Sequence, residues 1–188
     1  MRLFCGFDLA PGVTRALGEL VGQLRPAARI NWVPVENLHL TTKFIGEWPA
    51  GRIEEITRAL TPLAARAPFR IEISGLGWFP NPHSPRIFWA GVNAPPELAE
   101  LARASDAALG NIGVAPETRP FSPHLTLARI KSPVPLSEML GRIARLESTD
   151  FGSFAAGAFY LYRSERGPGG SVYTKLAGFP LNQQWSQP

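Results

Sequence analysis

Apolar and polar residues follow two periods along this chain, one typical of helices and one typical of strands. Apolar positions at helical spacing predict four helices, which span residues 11–24, 51–63, 95–109 and 136–146. Strand-like alternation or a short apolar run predicts eight strands, which span residues 2–9, 30–33, 38–45, 69–76, 86–92, 121–130, 151–163 and 172–177. A Gly-Pro-Gly-Gly segment at 167–170 predicts the turn before the last strand.

The predicted elements recur in one order in the two halves of the chain. Each half has a strand containing His-Leu-Thr, then a helix, then two strands. This order is typical of an α+β fold rather than of alternating parallel units. We therefore predict a single bilobal domain over residues 1–188, with two pseudo-symmetric lobes of mainly antiparallel sheet, helices packed outside, and a central cleft that holds both motifs. The polar C-terminal segment 182–188 is expected to fray.

The repeated tripeptide is the most informative motif. Two of the three histidines of the chain lie in it, as His39-Leu-Thr41 and His124-Leu-Thr126, 85 residues apart. In a strand, residues i and i+2 project to the same side, roughly 6.5–7 Å apart. Each copy therefore presents an imidazole and a hydroxyl to the same space. A lone histidine on a half-buried strand is more often structural than catalytic, but the duplication favours catalysis.

Two imidazoles and two hydroxyls around one cleft suit the hydrolysis of a phosphodiester. Hydroxyl groups can donate hydrogen bonds to phosphoryl oxygens. One neutral imidazole can take a proton from water while the other, protonated, gives a proton to the leaving oxygen. The residues alone do not distinguish the acid from the base. We expect no metal and no cofactor, because the sequence has no set of ligands at metal-binding spacing.

Composition and charge narrow the class of partner. The formal net charge is +4, which suits an anionic partner such as a nucleic acid. Arginine greatly outnumbers lysine, which either reflects phosphate binding or is a coding bias of a GC-rich genome. The single cysteine, Cys5, excludes an internal disulfide framework. No apolar run is long enough to span a membrane and no signal peptide is recognisable, so we expect a cytoplasmic protein. We also expect a monomer, although the sequence does not determine the oligomeric state.

The segments around both motifs resemble a known family. Residues 39–47 (HLTTKFIGE) and 122–129 (SPHLTLAR) are similar to the two signature motifs of the 2H phosphoesterase superfamily. The most similar branch is that of the RNA 2′,3′-cyclic phosphodiesterases, also called the 2′-5′ RNA ligase family. Thr42 departs from the pattern, because the family more often has an apolar residue there. The resemblance extends over nearly the whole chain.

This resemblance implies hydrolysis of RNA 2′,3′-cyclic phosphate ends to 2′-phosphomonoesters, with 2′-5′ ligation as the reverse reaction. It implies that His39 is the proton donor to the leaving 3′-oxygen and that His124 is the proton acceptor from water. Thr41 and Thr126 would hold the phosphoryl oxygens. These roles come from the family and not from the spacing of the residues.

Two basic residues are weaker candidates for substrate binding. Lys43 is expected to share the strand face of His39 and could contact RNA phosphate, or it could be a solubility lysine on an edge strand. Arg129 lies three residues after Thr126, so strand alternation puts it on the opposite face unless the strand twists or bulges.

Two other functions stay open at this point. The chain could be a cyclic phosphodiesterase that acts on a small nucleotide, which a comparison of kcat/KM on RNA and on mononucleotides would reveal. It could also be a non-catalytic RNA-binding module that stacks bases on aromatic side chains. Paired histidines flanked by hydroxyls favour the enzyme, because a stacking surface has no use for them.

Overall fold

A computed structural model describes residues 1–167 and 170–182 of the chain. The four predicted helices are present as α1 (Pro11–Leu24), α2 (Ile53–Leu60), α3 (Pro96–Gly110) and α4 (Ser137–Ile143). The strands within the described residues are β1 (Arg2–Phe7), β2 (Asn31–Trp32), β3 (Leu40–Glu47), β4 (Phe69–Phe79), β5 (Ile87–Asn93), β6 (His124–Arg129), β7 (Asp150–Ala156), β8 (Ala158–Gly167) and β9 (Gly170–Pro180). None of the described helices has both the length and the apolar character needed to cross a membrane.

The strands form two antiparallel sheets. Sheet A has the order β3-β1-β8-β9 and sheet B has the order β2-β6-β5-β4-β7. Every pairing described between neighbouring strands is antiparallel. The predicted α+β class with two sheets is confirmed, and each sheet carries one copy of the His-Leu-Thr motif.

Two predicted strand boundaries are wrong. The single strand predicted over 151–163 is two strands, because the chain leaves sheet B after β7, passes Gly157, and enters sheet A as β8. The strand predicted over 121–130 begins only at His124. Pro120 and Pro123 precede it, and proline has no N–H to donate to a strand ladder. Part of the predicted 167–170 turn (168–169) and of the C-terminal segment (183–188) lies outside the described residues.

The two halves of the chain are related by a constant offset and exchange strands. β1 begins at Arg2 and β5 at Ile87, while α1 begins at Pro11 and α3 at Pro96, so both pairs share the 85-residue separation of the two motifs. If β5 is taken as the first strand of the second half, β4 of the first half lies beside β5 in sheet B, and β8 of the second half lies beside β1 in sheet A, with β9 next to it. Each sheet therefore contains strands from both halves, which favours the single domain that we predict.

The helices cover the outer faces of the sheets. α1 packs against β7 and α4, while α3 packs against β3 and α2. The predicted apolar stripe of α1 is buried in full, and its members are Val13, Leu17, Leu20, Val21 and Leu24. Burial of such a stripe is the main stabilising contribution of an amphipathic helix. The opposite face of each sheet carries the motif residues, and we call the space between these two faces the cleft.

Candidate active site

His39 is held in one orientation by the backbone just before β3. Its Nδ1 lies 2.7 Å from the carbonyl oxygen of Asn37. A carbonyl oxygen only accepts hydrogen bonds, so Nδ1 carries the proton and Nε2 is left to exchange protons with a substrate. The ring is half-buried against Phe4, at 4.6 Å between ring centroids, and against the edge of Tyr173, at 4.9 Å.

His124 repeats this arrangement in the other sheet. Its Nδ1 lies 2.8 Å from the carbonyl oxygen of Ser122, which is again two residues upstream. The edge of Phe79 packs against the ring, at 5.0 Å between centroids and an interplanar angle of 89°. Both motif histidines therefore use Nδ1 to bond the backbone and leave Nε2 for a ligand. The third histidine, His83, is exposed in the loop between β4 and β5.

Thr41 and Thr126 lie on the cleft face beside their histidines. Thr41 pairs with Gly6 of β1, and Thr126 pairs with Trp89 of β5. The β1–β3 pair needs glycine at position 6, because a Cβ there would lie 2.5 Å from the backbone oxygen of Leu40. Both threonine side chains are half-buried, so their hydroxyls can reach a ligand in the cleft.

A β-bulge follows the motif threonine in both sheets. In β3 the extra residue is Thr42, between the pairs formed by Thr41 and Lys43 with β1. In β6 the extra residue is Leu127, between the pairs formed by Thr126 and Ala128 with β5. A bulge adds one residue to a strand and so reverses the face on which later residues lie.

The bulge in β6 brings Arg129 into the cleft. Arg129 pairs with Ile87, whose side chain shares a face of β5 with Trp89, the partner of Thr126. Arg129 is exposed, and its charge is close enough to His39 to lower the pKa of that ring. Simple alternation would have put Arg129 on the opposite face from Thr126, and the bulge puts it on the same face. Because β3 and β6 also contact each other, the two motif strands meet across the cleft.

The bulge in β3 moves Lys43 out of the cleft, so its predicted position on the face of His39 is wrong. Lys43 pairs with Cys5, which is fully buried on the helix side of sheet A. The ammonium group lies 2.6 Å from a carboxylate oxygen of Asp106 in α3 and donates a hydrogen bond of 2.8 Å to Ala115 O. Only 2% of the residue is exposed. It is a packing residue between β3 and α3, not a surface lysine.

Burial and neighbouring charges shift the pKa of His39. Burial lowers the pKa from its usual value of 6.5, and the positive charge of Arg129 lowers it further. The hydrogen bond to Asn37 and the carboxylate of Asp8 act in the opposite direction. In the free protein the net effect favours the neutral ring.

Asp8 belongs to a polar network beside His39 that sequence reasoning missed. Its carboxylate accepts a hydrogen bond of 2.5 Å from the hydroxyl of Tyr162 and pairs with the ammonium of Lys175. Burial and the Asp8 carboxylate raise the pKa of Tyr162, so the hydroxyl stays protonated and continues to donate. Asp8 lies two residues after Gly6, so strand alternation could have placed it on the cleft face. Tyr162 and Lys175 are distant from Asp8 in sequence, so no local pattern indicated that they contact it.

Among the residues that the structure describes, the site has no group of side chains suited to a metal ion. Within residues 1–167 and 170–182, no three His, Cys, Asp or Glu side chains are grouped so that they could hold a metal ion. The chemistry that the described side chains offer is proton transfer at two imidazoles, with hydroxyl and guanidinium donors for an anion.

Comparisons with known proteins identify the family. The family model described as "LigT like Phosphoesterase" matches the chain twice, at residues 7–89 and 91–173. The boundary between the two matches falls within β5 (Ile87–Asn93), close to the boundary between the two halves.

Individual relatives match over nearly the full length. The chain is 34% identical over 183 residues to the RNA 2′,3′-cyclic phosphodiesterase of Methanothermobacter thermautotrophicus, covering 96% of this chain and 99% of the relative. It is 38% identical over 189 residues to the enzyme of the same name from Thermus thermophilus, covering 96% and 90%.

Among solved structures, TT0787 of Thermus thermophilus matches with a TM-score of 0.82 and 35% identity, covering 96% of this chain and 98% of the other. The doubled motif, the paired sheets and these matches lead to one assignment. The chain belongs to the LigT-like phosphoesterases, a hydrolytic family of the 2H phosphoesterase superfamily.

Proposed function

We propose that this protein hydrolyses 2′,3′-cyclic phosphate ends of RNA to 2′-phosphomonoesters without a metal ion. The observation that carries the proposal is that His39 and His124 are oriented in the same way. In each, Nδ1 bonds the backbone carbonyl two residues upstream. Two imidazoles with free Nε2 atoms, on strands that meet across one cleft, can serve one phosphorus atom from two sides. The relatives named RNA 2′,3′-cyclic phosphodiesterase support the choice of substrate.

The proposed reaction moves two protons. A water oxygen attacks phosphorus while Nε2 of His124 takes a proton from that water. The bond between phosphorus and the 3′-oxygen breaks, and Nε2–H of His39 gives its proton to the leaving oxygen. The products are a 2′-phosphomonoester and a free 3′-hydroxyl. If the 5′-hydroxyl of a second RNA attacks phosphorus in place of water, the bond between phosphorus and the 3′-oxygen breaks in the same way, and the product is a 2′-5′ phosphodiester with a free 3′-hydroxyl, which would account for 2′-5′ ligation.

The proposed acid must be protonated when substrate is bound. Burial and Arg129 lower the pKa of His39 in the free protein. A bound phosphodiester brings a negative charge next to both groups, which offsets the effect of Arg129 and favours the imidazolium. The carboxylate of Asp8 acts in the same direction. Substrate binding is therefore part of how His39 becomes an acid.

Three other side chains complete the proposed phosphate site. The hydroxyls of Thr41 and Thr126 donate to the non-bridging oxygens, and the guanidinium of Arg129 neutralises charge that develops in the transition state. Lys43 has no place in this proposal, because its ammonium is bound to Asp106 on the far side of the sheet.

We also propose that the enzyme acts as a cytoplasmic monomer. Light scattering after size-exclusion chromatography tests the oligomeric state.

One experiment tests the function directly. Purified protein in EDTA is incubated with an oligoribonucleotide that ends in a 2′,3′-cyclic phosphate, and the position of the product phosphate is determined. We expect a 2′-phosphate, and we expect His39→Ala and His124→Ala each to lower kcat/KM at least ~10²-fold. His83→Ala is the matched control, because His83 is exposed outside the site. Activity that requires a metal, or full activity in either motif variant, contradicts the proposal.

A further inference from the structure

A carboxylate lies opposite His39 on the neighbouring strand of sheet A. The register of β1 and β3 pairs Phe7 with Leu40, so the next pair along the two chains is Asp8 and His39. Residues directly opposite each other in an antiparallel pair have their Cβ atoms about 4.5–5.5 Å apart. The charge of Asp8 is accordingly close enough to act on the imidazole.

Two side chains from the second half of the chain hold the Asp8 carboxylate in place. One oxygen accepts a hydrogen bond of 2.5 Å from the hydroxyl of Tyr162, and the other pairs with the ammonium of Lys175. The buried ring of Tyr162 stacks on Phe4, at 4.9 Å between centroids and an interplanar angle of 10°. The ammonium of Lys175 also lies 4.1 Å from the ring centroid of Tyr160. The position of the carboxylate is therefore set by β8 and β9.

Asp8 acts on His39 through its charge and not through a hydrogen bond. Nδ1 of His39 bonds the carbonyl oxygen of Asn37, and both carboxylate oxygens of Asp8 bond other partners. A nearby negative charge favours the protonated form of an imidazole. Because Asp8 does not bond Nε2, this nitrogen stays open to a substrate.

Sheet B has no side chain at the matching position. The register of β5 and β6 puts Gly91 directly opposite His124. A β-carbon at Gly91 would lie 2.3 Å from the backbone oxygen of Ser74, so only glycine fits there without a shift of the backbone. The position opposite the motif histidine therefore carries a carboxylate in sheet A and no side chain in sheet B.

Other polar groups reach His39 from three strands. Burial lowers the pKa of His39 most, the guanidinium of Arg129 on β6 lowers it further, and the carboxylate of Asp8 raises it. Tyr162 on β8 faces the ring at 6.2 Å between centroids, and Tyr173 on β9 packs its edge against it. Asp8 is thus the described side chain whose charge opposes the effect of Arg129.

We propose that Asp8 is a positioning residue that stabilises the protonated form of His39 and so makes His39, rather than His124, the proton donor. Lys175 neutralises part of the Asp8 charge and limits the effect. This inference rests on the proposed function. It gives a reason within this chain for the assignment of acid and base, which the two similar motifs leave open.

The kinetic test measures kcat/KM across pH on a short RNA that ends in a 2′,3′-cyclic phosphate. If His39 is the acid, the rate on the alkaline side of the optimum depends on the fraction of His39 that is still protonated. Asp8→Asn removes the charge and keeps the shape. We expect it to lower kcat/KM on the alkaline side by roughly 2- to 30-fold, the range for one unit charge on a neighbouring strand. The acidic side should show no loss.

Two further variants accompany this measurement. Asp8→Glu keeps the charge and should lose less than Asp8→Asn on the alkaline side. Glu147→Gln is the matched control, because Glu147 is an exposed carboxylate in the loop between α4 and β7. It should leave kcat/KM unchanged at every pH.

Three kinetic outcomes overturn the proposal. An equal loss at every pH in Asp8→Asn would mean that Asp8 only supports the structure. A gain on the acidic side would mean that His39 is the base. No change on either side would mean that the charge of Asp8 does not reach His39.

A second measurement does not depend on activity. NMR of 15N-histidine-labelled protein follows the protonation of His39 without substrate. We expect the pKa of His39 to fall in Asp8→Asn and to rise in Lys175→Met, since the two variants remove opposite charges. If Asp8→Asn does not fold, as judged by circular dichroism, the direction of the change in Lys175→Met decides alone.

The two measurements separate this inference from the proposed function. If the wild type is active and the pKa of His39 is the same in both variants, the role of Asp8 is wrong and the proposed function stands. If the wild type hydrolyses no cyclic phosphate, the proposed function fails and the role of Asp8 in making an acid falls with it.

Discussion

At the scale of single residues, the site depends on which nitrogen of each imidazole carries a proton. Backbone carbonyl groups settle this for both motif histidines, at 2.7 Å for His39 and 2.8 Å for His124. A carbonyl two residues upstream is part of the local chain, so the orientation does not depend on a distant partner. Fixed orientation of this kind is what positioned acid–base groups require.

The lowered pKa of His39 predicts how stability depends on pH. The unfolded chain binds a proton at His39 near its usual pKa of 6.5, whereas the folded ring, mainly because of burial, binds it only at lower pH. The stability contributed by neutral His39 is therefore present above pH 6.5 and is lost as pH falls through the window below it. Urea unfolding at several pH values from neutral to mildly acidic measures this effect. The free energy of unfolding should fall less with decreasing pH in His39→Gln than in the wild type.

His83→Gln is the control for this measurement, because that histidine is exposed in the loop between β4 and β5, outside the site. An equal loss of stability in the wild type and in His39→Gln would show that His39 titrates at the same pH in the folded and unfolded chains.

The residues that sequence could identify are those whose role follows from their own motif. Because a strand repeats every two residues, Thr41 lies beside His39 and Thr126 lies beside His124. Lys43 was misplaced for the same reason, since counting alternate residues fails beyond a bulge.

At the scale of elements, the paired bulges determine what each motif strand presents after its threonine. One bulge turns Arg129 toward the cleft, and the other turns Lys43 toward α3. A bulge depends on how two strands pair, and the partner strands lie far away in sequence. The local periodicity of the sequence predicted these strands, but it could not predict the register in which β3 pairs with β1 or β6 pairs with β5.

The placement of Lys43 leads to a prediction about stability. Its ammonium links β3 to α3 through Asp106, and the same hydrogen bond holds the pKa of Asp106 below its usual value. Lys43→Met keeps the apolar stem but leaves the carbonyl of Ala115 without this donor. We expect the free energy of unfolding to fall by about 1–3 kcal/mol, measured by urea denaturation.

The exposed Lys131 provides a matched substitution, and Lys131→Met should change stability by no more than about 0.5 kcal/mol. If Lys43→Met unfolds like the wild type but loses most of its kcat/KM on RNA, then Lys43 contacts substrate and our placement is wrong.

At the scale of the whole molecule, two similar halves build one cleft by exchanging strands between their sheets. β4 of the first half lies in the sheet that holds His124, and β8 and β9 of the second half lie in the sheet that holds His39. The repeated motif predicted two similar halves, and the constant offset between their elements bears this out. The exchange was not predicted, because strand pairing across halves leaves no local pattern in the sequence.

The central claim is that one histidine from each half acts on a single phosphate. Titration of 15N-histidine-labelled protein with 2′-AMP, the product form of the substrate, followed by NMR of the ring nitrogens, tests this most directly. We predict that the Nε2 signals of His39 and His124 shift together with one dissociation constant, while those of His83 stay in place. A shift at only one motif histidine, or two different dissociation constants, would show that the two rings do not share a phosphate.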